Sequence, residues 1–182
     1  MGNTSGQAYS LMVMTPVLPG REAPLQEVLR GLPTGEDSPL ARMGSTHFAR
    51  WLVVHDLVYQ GPPQQRDSLK SPYLIFVTSF DGDLDDYLAG IRTLMAKESD
   101  AIWSNCVGYP GSIDPHAFSS YLKHNQIEST VFVSAYPNAT VADVRASLVL
   151  RRQLTEFAIA AQSMDPSVLR REFLSRFSSK VA

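Results

Sequence analysis

The chain has 182 residues, 44% of them hydrophobic, which is enough for one domain with a self-sufficient core. Sixteen basic and 18 acidic side chains leave a formal charge of -2, which excludes a global field drawing the chain to nucleic acid or to an anionic membrane. One cysteine, Cys106, excludes an intramolecular disulfide; no apolar run approaches the roughly eighteen residues that span a bilayer, and the opening MGNTSGQAYS lacks the basic and apolar regions of a secretory signal, so the expected home is the cytoplasm.

Residues 1–9 are small and polar and are expected to be a flexible N-terminus, which puts the folded domain at 10–182. Leu11-Met12-Val13-Met14-Thr15-Pro16-Val17 is a continuous apolar run suited to a central strand, ended by Pro19-Gly20. Leu25, Val28, Leu29 and Leu32 recur at i, i+3, i+4 and i+7 after Pro24, which predicts a short amphipathic helix over 22–32. Pro33, Gly35, Pro39 and Gly44 then make 33–45 a loop. Two β-branched and aromatic runs, 46–58 and 73–80, are separated by Gly61-Pro62-Pro63-Gln64-Gln65 and predict a hairpin with a long turn. Asp83 caps the next helix, whose apolar stripe is Leu84, Tyr87, Leu88, Ile91, Leu94 and Met95. A segment of mixed character from Ile102 to Asp114 holds the turn Gly108-Tyr109-Pro110-Gly111, and Asp114-Pro115 opens a short helix bearing Phe118, Tyr121 and Leu122. Thr130 to Tyr136 reads as the last strand, stopped by Pro137. Thr140 and Asp143 resemble a capping box at the head of a helix over about 140–162, and a final helix, expected to be capped by the Asp165 side chain with Pro166 in its first turn, carries Leu169, Phe173 and Phe177 on one side.

In order these elements are strand, helix, strand, strand, helix, insertion, strand and two helices. This is the βαββαβ order of an α+β, ferredoxin-like domain, an antiparallel sheet with helices on one face, followed here by a C-terminal helical extension over about 140–182. Strand 46–55 has large apolar groups on both sides, Phe48, Leu52 and Val54 against Trp51 and Val53, so both faces need cover. A homodimer is the economical cover for the open face. The element order, the aromatic face and the strand THFARWLVV resemble the dimeric α+β barrel superfamily, which includes small cofactor-independent monooxygenases, chlorite dismutases and dye-decolorising peroxidases. The segments HFARW, LIFVTSFDGD, IWSNCVGYPG and VFVSAYP also look like those of uncharacterised bacterial proteins of this type, and the resemblance covers roughly residues 10–145. It implies a small organic ligand, with no cofactor favoured and haem as the alternative. The peroxidase branch would carry Gly-x-x-Asp-Gly; Thr78-Ser79-Phe80-Asp81-Gly82 keeps Asp-Gly and lacks the first Gly.

The hairpin is the expected seat of chemistry, because its first strand places His47, Arg50 and His55 where a purely structural strand would be apolar. By alternation His47, Trp51 and His55 share one side and Phe48 and Arg50 the other. A turn centred on Gln64-Gln65 would bring His47 and Arg50 to the Phe80-Asp81-Gly82 end. There Arg50 and Asp81 would either orient an anionic or carbonyl oxygen, with His47 as the acid/base, or form a plain ion pair closing the rim of the sheet. In the haem alternative His55 or His47 would be the ligand, beside Trp51. No metal ion is expected: Asp81-Gly82-Asp83-Leu84-Asp85-Asp86 lacks the spacing of a calcium loop and suits a first helical turn, and His116 and His124 stand too far apart for an i, i+4 pair. Cys106 has no evident base and is expected to be a buried, inert thiol. Arg151-Arg152 and Arg170-Arg171 make the last helices locally basic, without a nucleic-acid motif; a non-enzymatic role as an interaction module through these helices is the third reading.

Overall fold

The computed structural model describes residues 2–178. It is an α+β chain built on a four-stranded antiparallel sheet in the order β1-β2-β4-β3, where β1 is Thr4–Ser5, β2 Ala8–Pro16, β3 Thr46–Val54 and β4 Tyr73–Asp81. Alternation decides which side of each strand is buried. In β2 Leu11, Val13 and Thr15 turn inward, and in β4 Leu74, Phe76, Thr78 and Phe80 do so; all seven are almost wholly buried.

The helices that close this side follow from the apolar stripes of the sequence. Helix α1 (Glu22–Arg30) brings Leu25, and α2 (Pro39–Arg42), a single turn inside the expected loop, brings Leu40. Helix α3 (Leu84–Leu94) starts where Asp83 accepts the Asp85 N–H at 2.7 Å, and it buries Tyr87, Leu88 and Ile91. Helix α4 (Ala96–Trp103) adds Ile102 and Trp103. Helix α5 (Pro115–His124) is capped by Asp114, which accepts from His116 and Ala117, and it adds Phe118 and Leu122. Phe80 stacks flat on Tyr87 with centroids 3.6 Å apart, and Trp103 meets the edges of Phe76 and Phe118. Each such fully buried Leu or Phe contributes about 1.5–3 kcal/mol, so this core carries most of the stability.

Three expectations are corrected. Residues 4–5 and 8–9, expected to be loose, belong to β1 and β2, with Thr4 opposite Tyr9 and Ser5 opposite Ala8. That hairpin occupies the free edge of β2 which the predicted strand 130–136 would need. The later segment therefore bridges β2 only at Gln126 with Val13 and then bonds to side chains, Ser129 N–H to Asn3 and Ser134 N–H to Ser5, with Val131 and Val133 left exposed. Among the described residues the strand order β1-β2-β4-β3 fits an α+β sheet and does not by itself give the full ferredoxin-like order. The third correction is register: Arg50 lies opposite Val77 and Leu52 opposite Ile75, and an irregularity between Thr46 and Phe48 leaves His47 without a partner, so the turn-centred pairing is slipped.

The mixed segment is held by one carboxylate. Asp100 accepts from Tyr109 Oη at 2.7 Å, Ser112 N at 2.9 Å and Ser112 Oγ at 2.8 Å, and the left-handed turns this needs fall on Gly108 (φ 74°) and Gly111 (φ 88°). Trp103 and Tyr109 thereby serve the core.

The chain divides into two compact units, Met1–Val141 and Ala142–Ala182. The second consists of α6 (Val141–Ala161), apart from its first residue, and α7 (Pro166–Phe177), joined through Phe157, Phe173 and Phe177, whose ring centroids lie 5.2–5.8 Å apart. No helix among the described residues is long and apolar enough to cross a membrane.

Candidate functional site

The strongest polar constellation forms where β3 begins and β4 ends. The bulge at His47 takes that residue out of the ladder, and β4 continues one residue past the buried Phe80 to Asp81. The Asp81 backbone is anchored by its N–H to Ser45 O at 2.9 Å. The two side chains then meet, with His47 Nε2 2.7 Å from Asp81 Oδ1, and the imidazole and carboxylate are only 21% and 13% exposed. A carboxylate can only accept, so Nε2 carries the proton of this bond and a neutral His47 presents the lone pair at Nδ1. The second carboxylate oxygen accepts the Val141 N–H at 2.6 Å. Asp81 is thus gripped from two sides, and it holds the imidazole in one tautomer and one orientation. This is the relation that carboxylates have to catalytic histidines.

His47 also lines a cleft of about 380 Å³ between the sheet edge and the α1–α2 segment, whose wall includes Leu29, Leu32, Leu40, Thr46 and Trp51. Leucine and indole side chains alternate there with the hydroxyls of Thr34, Ser38 and Thr46, a mixed wall that suits a small organic molecule with polar groups. Beneath it a buried hydroxyl chain braces the bulge: Tyr87 Oη lies 3.1 Å from Thr46 Oγ1 and 2.8 Å from Thr78 Oγ1. Burial pushes the Tyr87 phenol above its ordinary range, so it stays a neutral donor.

The other sequence candidates scatter. Arg50 is exposed on the opposite side of the sheet, and among the described residues it makes no ion pair; the Arg50–Asp81 pair is replaced by His47–Asp81. Trp51 does line the cleft with His47, stacking on Phe76 with centroids 4.8 Å apart, and its buried indole N–H finds no hydrogen-bond acceptor among the described residues. His55 sits just past the far end of β3, exposed, where the Gln26 amide N–H donates to its Nε2 at 2.8 Å. His47 and His55 therefore occupy opposite ends of one strand. His47 Nε2 is committed to Asp81 and His55 Nε2 to Gln26, and both bonds leave Nδ1 of the ring outside them.

Cys106 is buried, accepts from Thr15 Oγ1 at 3.3 Å, and has its thiol pKa pushed up by burial, the setting of an inert sulfur. Among the described residues no group of three or more His, Cys, Asp or Glu could hold a metal ion.

Sequence reasoning missed the cleft wall and the brace. Leu29 and Leu32 had been visible as part of an amphipathic stripe, but nothing in the sequence assigns them to a cleft rather than to the core. Thr46, Thr78 and Tyr87 carry no motif; only the fold gathers them. Compared with models of known protein families, with curated proteins and with solved structures, the chain has no match.

Proposed function

We propose that the chain binds a small organic molecule in the cleft beside His47 and moves a proton on it through His47 Nδ1, as a cofactor-independent oxygenase of the dimeric α+β barrel type would require. The observation that carries this reading is the Asp81-oriented imidazole in the wall of a cleft lined by leucines, Trp51 and hydroxyls. A proton taken from the bound molecule would leave His47 as an imidazolium, which Asp81 stabilises at 2.7 Å. The leucines and the indole would concentrate the ligand and weaken competition from water. The same reading includes a homodimer, since the sheet side turned away from α1–α5 presents Met12, Met14, Phe48, Leu52, Ile75 and Val77 beside Arg50, with Phe48 80% exposed.

The test starts with a thermal-shift screen of aromatic and lipid-like compounds, followed by repetition of every hit on His47→Ala and on Leu40→Trp, which fills the cleft. Leu40→Trp should abolish the shifts. With an accepted substrate, His47→Ala should lower turnover by about 10²–10⁴-fold, the usual contribution of a general acid/base, and Asp81→Asn by less. Hits that bind both variants as they bind the parent chain would sink the proposal.

A further inference from the structure

Helix α6 has two apolar sides and uses only one. On the first, buried Phe157 packs against Phe173 and Phe177 of α7, with half-buried Leu150 and Ala161 at helical spacing on the same side. The second side carries Val144, Leu148, Thr155 and Ile159 at i, i+4, i+11 and i+15, and here Val144, Leu148 and Ile159 remain 43%, 57% and 67% exposed. Arg151 fills the gap in this row and Arg145 and Arg152 border it. All three are exposed, and none has an ion-pair partner among the described residues. An uncovered apolar row with a cationic border is a recognition surface awaiting its complement.

We propose that this side of α6 docks an amphipathic helix of a partner protein whose own apolar row is bordered by Asp or Glu. Charge decides against the two other occupants. A second copy paired antiparallel, so that Val144 meets Ile159, would bring Arg151 and Arg152 of both copies together at the centre, where like charges repel. A lipid surface calls for aromatic residues on the inserted side, whereas Phe157, the one aromatic residue in α6, lies on the α7 side. This inference is independent of the His47 cleft.

The experiment uses the full chain and a fluorescein-labelled synthetic helical peptide with Leu at i, i+4, i+11 and i+15 and Glu beside them, read by anisotropy. Saturable binding is expected, weakening about ten-fold as salt rises to several times a Debye-screening 0.1 M. The double substitution Leu148→Ala, Ile159→Ala should weaken it at least as much, with circular dichroism confirming that the helices remain. Arg151→Glu with Arg152→Glu should reverse the preference, so that the Lys-bordered version of the peptide now binds. The proposal is overturned if the acidic peptide does not bind, if both double variants bind it as the parent does, if phosphatidylserine vesicles capture the chain and the peptide does not compete, or if light scattering shows a dimer that Leu148→Ala, Ile159→Ala dissociates.

Discussion

Tyr87 shows how much a single hydroxyl can hold. It lies under the sheet, 3% exposed, and satisfies both Thr46, at the start of the bulge, and Thr78, in the middle of β4. Tyr87→Phe keeps the ring stack on Phe80 but leaves the buried Thr78 hydroxyl and the half-buried Thr46 hydroxyl short of a partner, so it should cost about 1–2 kcal/mol, read as a lower urea midpoint. Tyr136→Phe, at a 76% exposed ring, should change almost nothing, and equal effects for the two would contradict the bracing role. At this scale the sequence placed His47 near Asp81 but paired that carboxylate with Arg50, whereas its bond is to His47. Strand alternation correctly separates Arg50 from His47. What it lacks is the bulge, and a bulge has no residue signature here: Thr46-His47-Phe48 reads as ordinary strand until β4 is laid beside it.

At the scale of elements, the apolar stripes of α1, α3 and α5 and the carboxylates Asp83 and Asp114 were legible because caps and periodicity act over a few residues. Thr130 to Tyr136 was misjudged for the opposite reason. Its β-branched and aromatic composition is real, but a strand needs a free neighbour, and β1 takes that place through contacts no local pattern announces. Covering the apolar sheet side is likewise a question of partners. If two copies bury it against each other, Phe48→Glu combined with Leu52→Glu should convert a dimer into a species of 20.1 kDa in sedimentation equilibrium. Because Phe48 is 80% and Leu52 43% exposed in the single chain, the melting temperature of the resulting monomer should match that of the parent at high dilution. A parent that sediments at 20.1 kDa at all concentrations would refute this part of the proposal.

For the whole molecule, the groups that tie stability to pH lie together in the core of the first unit. Burial is the leading cause of a raised pKa at Tyr87, Tyr109, Tyr121 and Cys106; at Tyr109 the bonded Asp100 carboxylate adds to it, since ionising the phenol would cost that hydrogen bond and set two negative charges side by side. In each case the folded pKa exceeds the unfolded one, which is about 8.5 for a thiol and about 10 for a phenol. Below those values both states hold the proton and the full stability is present. Above them the unfolded chain releases its proton first, so stability falls as pH rises, with a slope of at most about 1.4 kcal/mol per pH unit for each fully buried group and less at half-buried Tyr109, where solvent screens the charge. The urea midpoint should therefore show no loss from these groups between pH 7 and about 8.5, decline beyond it, and decline most steeply above about pH 10. Tyr121→Phe should flatten the steep part, because Tyr121 is buried and the variant cannot ionise there. A midpoint that stays level through about pH 11, or a slope that Tyr121→Phe leaves unchanged, would show that the phenols are not held neutral by this core.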